Sequence, residues 1–139
     1  MGLNFRRVKS LEKQKKRELM IIEYEITINE FKQGCERIDE FGRFSDVDIK
    51  TTYIMFAKSI YKNISADIKK LDKERRIAQA KIFNAKKADE AKEEIKDILT
   101  TKGKLLKLQE KLSEIVKKYI GESFGDEKSN GPKQPGEDQ

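Results

Sequence analysis

Between residues 5–41 and again between 50–120 the chain carries no proline and only two glycines, Gly34 and Gly103. Both stretches are dense in Lys, Glu, Leu, Ile and Ala. Such side chains lose little rotamer freedom in a helix, and nothing in them interrupts the backbone hydrogen-bond ladder. The pattern predicts two long helices joined by one short turn. Two paired helices have almost no interior and cannot wall off a reaction cleft, so function is expected at the surface and the ends. Apolar residues make up 36% of the chain and charged ones 40%, against about 45–50% and 25% in an average domain. That is too polar for a thick core. Isoleucine and leucine nevertheless recur at helical spacing, as in a coiled coil, where narrow seams suffice.

The first helix is predicted over 5–41. Val8, Leu11, Leu19, Ile22 and Ile26 open an apolar seam. A second line, Tyr24, Ile28, Phe31, Cys35, Ile38 and Phe41, then takes over. A stripe that shifts around the helix in this way reads as a stutter. Gly42 suits a helix C-terminal cap, where positive φ is needed. Ser45 or Asp48 suits the N-cap of the next helix, placing the turn at 42–48. A turn this short favours an antiparallel return.

The second helix is predicted over 48–120, with seam residues Tyr53, Phe56, Ile60, Ile64, Ile68 and Leu71, then Ile98, Leu105, Leu108, Leu112, Ile115 and Tyr119. Small residues cluster between them, at Ala78, Ala80, Ala85, Ala88 and Ala91. Thr100, Thr101 and Gly103 are poor helix formers and mark the place for a bend or break. At 1.5 Å per residue the two helices measure about 55 and 110 Å. The overhang has three outlets: pairing with another chain, folding back at Gly103, or fraying. Residues 121–139 hold Ser, Gly, Asn, both prolines and acids, the composition of a disordered tail. The fold expected is all-α: an antiparallel two-helix coiled-coil hairpin over 1–120 with a longer second helix and a disordered C-terminal tail.

Chemistry is hard to find. The chain has no histidine and one cysteine, so general acid–base work loses its commonest agent and zinc its commonest nitrogen ligand. Lys102-Gly103-Lys104 lacks the flanking residues of a phosphate loop. Acidic pairs such as Asp89-Glu90 and Glu93-Glu94 are adjacent and point about 100° apart on a helix, so they do not converge. No catalytic residue, cofactor or metal is expected. Cys35 lies on the apolar seam and reads as a small buried side chain; a lone cysteine fits a reducing compartment. The longest apolar runs, at 19–22 and 53–57, fall far short of the ~20 residues a membrane span needs. Arg6, Arg7 and Lys9 have no apolar stretch behind them, unlike a secretory signal. These points describe a soluble cytoplasmic protein.

The charge balance is +6. The run Arg6, Arg7, Lys9, Lys13, Lys15, Lys16, Arg17 reads either as a solvated helix face or as an electrostatic footprint for an acidic protein surface. Nucleic acid is not the expected partner, because no aromatics interleave with the basic residues as stacking platforms. Lys69, Lys70, Lys73, Arg75 and Arg76 stand among Asp67, Asp72 and Glu74, as in helix-surface charge pairing. Six of the eleven aromatics (Phe31, Phe41, Phe44, Tyr53, Phe56 and Tyr61) fall near the turn. They either seal the hairpin end or leave an exposed apolar patch for another protein.

The segment Tyr53-Ile54-Met55-Phe56-Ala57-Lys58-Ser59-Ile60-Tyr61-Lys62-Asn63-Ile64 resembles the start of the second helix in the FliJ family, the soluble stalk proteins of the flagellar type III export ATPase, with relatives in virulence injectisomes. The opening Phe5-Arg6-Arg7-Val8-Lys9-Ser10-Leu11 resembles the family's first helix, and the likeness covers about residues 5–115. The resemblance implies a non-enzymatic coupling rod whose partners are the hexameric export ATPase and the cytoplasmic domain of the export gate, peripheral to the membrane. It also implies gate contacts at Phe56 and Ile60, with Phe41 at the end of the first helix. Asn63 departs from the small apolar residue the family tends to have there. Charge alone nominates Arg6, Arg7 and Lys9 for the ATPase. A rival reading is a coiled-coil chaperone or cofactor-type hairpin, or another helical adaptor; a three-helix cofactor would require a true break near Gly103.

Overall fold

A computed structural model describes residues 2–121, with side chains from residue 11 onward. The expected tail at 121–139, save Gly121, and the side chains of Arg6, Arg7 and Lys9, lie outside the described residues. The protein is all-α. Helix α1 spans Gly2–Glu40, a single 3-10 turn spans Arg43–Ser45, α2 spans Val47–Lys81 and α3 spans Ala88–Tyr119. Among the described residues there is no strand.

The first turn forms where the sequence places it. Gly42 takes φ +65°, and its N–H bonds back to the Asp39 carbonyl at 2.9 Å. The cap of α2 differs from expectation. Asp46, not Ser45 or Asp48, accepts from the Asp48 and Ile49 amides at 2.9 and 3.3 Å, while the Ser45 hydroxyl donates to the Gly42 carbonyl. An aspartate at this position satisfies orphan N–H groups and suits the positive end of the helix dipole.

The single second helix over 48–120 is corrected to two helices. The chain breaks at 82–87, a stretch with neither glycine nor proline. Asn84 makes the break: its side-chain oxygen accepts from the Lys86 amide at 3.1 Å, and i→i+3 bonds run from Asn84 to Lys81 and from Lys87 to Asn84. A short amide side chain that bonds its own backbone in this way competes with the helix. The anticipated weak point at Gly103 stays helical. Thr100 and Thr101 turn their hydroxyls back onto the Lys96 and Asp97 carbonyls, both at 2.9 Å, so neither takes a backbone group out of the ladder.

The residues gather into two compact units, one from Met1–Ile26 and Ile64–Lys107, the other from Thr27–Asn63 and Leu108–Gln139. In the first unit α1 runs antiparallel to α2, as the pairs Arg17–Glu74 and Tyr24–Asp67 require. It runs parallel to α3, as Lys13–Glu94 and Arg17–Asp97 require. The unit's apolar core is Ile21 from α1, Ile64, Leu71 and Ala78 from α2, and Ala91, Ile98 and Leu105 from α3.

The α1 side of this core is not the seam the spacing suggested. Arg17, Ile21 and Tyr24 face inward, whereas Leu11, Leu19, Ile22 and Ile26 remain about half exposed. The apparent stutter is therefore two stripes on one helix. The buried one was hidden because its leading member is an arginine.

In the second unit the core comprises Ile28, Phe31 and Cys35 from α1, Ala57 and Ile60 from α2, and Leu108, Leu112, Ile115 and Val116 from α3, with Ile120 just beyond it. Gln109 is buried there and donates to the Tyr61 carbonyl at 3.1 Å. On the surface the Tyr119 hydroxyl donates to Glu36.

Candidate docking surface

In the second unit the aromatic residues near the α1–α2 turn divide into a sealed set and an exposed set. Phe31 is buried at the foot of the cluster. Tyr53 and Phe56 each lie 5.7 Å from it, ring centre to ring centre, and Phe44 packs edge-on against Tyr53 at 5.4 Å. Tilted and edge-on contacts suit the ring quadrupoles. Gly34 lets the Tyr53 ring come this close to α1: a Cβ on residue 34 would stand 3.0 Å from the Tyr53 hydroxyl oxygen.

On the outside, Phe41 and Val47 flank the turn, each 72% exposed, and Met55 and Phe56 follow on α2 at 65% and 49%. Some of the aromatics therefore seal the hairpin end, and others lie exposed beside the turn. Phe56 belongs to both sets, with one face on Phe31 and the other open to solvent.

The expected gate contacts fare differently. Phe41 and Phe56 are presented to solvent. Asn63 is also exposed. Ile60 is only 5% exposed: it falls on the same inward-facing α2 stripe as Ala57 and Ile64, as its place on the seam predicts. Val47 and Met55 were missed by sequence reasoning. Met55 adjoins Phe56 in the motif itself, but a helical-seam reading discards a residue pointing 100° away from the seam.

The first unit holds a different kind of site. Arg17, largely buried, donates to Asp97 at 2.7 Å, to Glu74 at 2.8 Å and to Glu94 at 3.4 Å. Burial alone would lower the pKa of this guanidinium, but its bonds to Glu74 and Asp97 outweigh that and raise it. In the same unit Lys102 donates to Asp72 at 2.9 Å, which holds that carboxyl below its ordinary range. The open groove above Arg17 is lined by Lys13, Gln14, Lys87, Glu94 and Thr100 among others. Both terminal nitrogens of Arg17 meet carboxylates contributed by α2 and α3, so the arrangement is a polar layer linking the three helices of the unit.

No family model, curated protein or solved structure matches this chain.

Among the described residues no group of three or more His, Cys, Asp or Glu could hold a metal ion, and no helix is long and apolar enough to cross a membrane. Cys35 is buried, and burial pushes its thiol up to about 12, with Asp39 and Glu36 adding to the effect. A thiol so placed is protonated and inert at neutral pH.

Proposed function

We propose that this chain is a non-enzymatic docking protein that offers the apolar edge of its α1–α2 turn to another protein. The observation that carries the reading is Phe56: it is braced on the buried ring of Phe31 and half open, an aromatic anchor already held in place. Rigid aromatic anchors dominate protein–protein affinity because little entropy is lost when they bind. The resemblance of residues 53–64 to the FliJ family names the partner: the cytoplasmic domain of a type III export gate, with the hexameric export ATPase as second partner and Arg6, Arg7 and Lys9 as the ATPase-facing charges. On this reading the protein is cytoplasmic and peripheral to the export apparatus.

The test uses the purified gate domain and ATPase. Phe56→Ala and Phe41→Ala are expected to weaken gate binding by about tenfold or more each while helicity by circular dichroism persists. Unchanged gate affinity in both variants sinks the reading. Charge reversal at Arg6, Arg7 and Lys9 should reduce ATPase stimulation, most at low salt.

The break at 82–87, not near Gly103, makes a third helix. It departs from the one unbroken second helix that the family likeness implies and supports a second reading, a helical chaperone or cofactor-type module. Under that reading the same apolar edge holds a non-native client protein. Suppression of client aggregation, with no gate binding, would select it.

A further inference from the structure

The stripe Leu11, Leu19, Ile22 and Ile26 on α1 is left half open to solvent. Its members are 47–58% exposed, although the same helix already buries Arg17 and Ile21 on another face. Leu11, Lys15, Leu19, Ile22 and Ile26 are spaced four, four, three and four residues apart, so they share one face over about 22 Å of helix. A second amphipathic face on a helix already packed on its first is the pattern of a surface that takes another helix.

The charges say which helix. Lys15 and Lys16 lie one turn before Leu19, and Glu23 and Glu25 lie one turn or more after it. The stripe is thus basic at its start and acidic at its end, with Leu19 near the middle. A parallel copy would set lysine on lysine and glutamate on glutamate. An antiparallel copy related by a two-fold axis near Leu19 sets each basic end on the other's acidic end, and Leu11 beside the partner's Ile26. A self-complementary patch of this kind is the signature of an isologous interface. Glu12 and Glu18 break the pattern, but each stands within one turn of a lysine on the same helix, Glu12 four residues from Lys16 and Glu18 three from Lys15, and is offset there. The chain's own C-terminal segment is a poor occupant, because residues 122–139 contain a single large apolar side chain, Phe124.

We propose that α1 pairs antiparallel with α1 of a second copy through Leu11, Leu19, Ile22 and Ile26, flanked by reciprocal contacts of Lys15 and Lys16 with Glu23 and Glu25. The stripe is short, so the dimer belongs to the small, concentration-dependent class of interface.

Sedimentation equilibrium on the full chain tests this. The wild-type mass is expected to climb from 16.2 kDa toward twice that value with concentration. Leu19→Glu should hold it at the monomer value with unchanged circular dichroism. Lys15→Glu with Lys16→Glu should weaken association by about tenfold or more. Adding Glu23→Lys and Glu25→Lys to that pair should restore association, because the polarity is then reversed and again self-complementary. A wild type that stays monomeric at every concentration overturns the proposal, as does a dimer that survives Leu19→Glu. So does a fourfold variant that fails to recover.

Discussion

Arg17 occupies a position where the helix spacing calls for an apolar residue, and three carboxylates converge on it. Arg17→Met keeps the stem's packing and leaves those carboxylates facing one another. Because Glu74 is half exposed and Asp97 and Glu94 are partly so, water relieves part of the strain. The loss expected in urea denaturation is about 1–3 kcal/mol, below the full cost of breaking a deeply buried pair.

Cys35 makes a prediction of opposite character. Its thiol, ordinarily at 9.0, rises to about 12 in the native state. Between those values the unfolded chain has released a proton that the native chain still holds. Stability from this group is therefore complete below about pH 9 and declines as pH rises from there toward 12. Tyr24, raised by burial and by its bond to Asp67, pulls the same way. Thermal melts across that range should fall steadily, and the native thiol should resist alkylation at pH 8.

At the scale of elements, the two turns are built differently. The first rests on Gly42 and the Asp46 cap; Asp46→Ala should cost about 1 kcal/mol in chemical denaturation. The second rests on Asn84. By contrast Gly103, expected to interrupt a helix, lies within α3, and a Cβ there would meet open space. Gly103→Ala should therefore stabilise the protein by about 1 kcal/mol; a neutral or destabilising result would show that α3 is distorted at that point.

These elements also mark what the sequence discloses. The all-α class and the turn at Gly42 are legible because the lack of proline and the cost of positive φ are local effects. The break at 82–87 is not, because it depends on a single asparagine whose turn chemistry competes with strong helix formers on either side. Gly103 misleads for the reverse reason: tertiary packing of Ile98, Thr101 and Leu105 overrides one residue's weak propensity. The inward stripe of α1 is masked by Arg17, since a period search scores a paired arginine as surface. Of the candidate site, Phe41 and Phe56 are legible as aromatics beside a turn. Whether an apolar residue on α2 faces in or out depends on where α3 packs, which is why Ile60 is buried while Met55 is exposed.

For the whole molecule the contrast between buried Ile60 and half-exposed Phe56 becomes a discriminating measurement. Ile60→Ala removes buried atoms and should cost about 2–5 kcal/mol of stability. Phe56→Ala should cost less stability and act chiefly on partner binding. Equal effects of the two on both readouts would mean that Phe56 is merely core.

The way the chain is apportioned has a practical corollary. Each compact unit is assembled from two stretches separated along the sequence, and each of the three helices donates a segment to both. Neither unit corresponds to an uninterrupted piece of the gene. Truncation cannot isolate one of them, whereas two peptides cut between Lys81 and Ala88 together retain every helix and are the natural pair for a fragment-complementation assay.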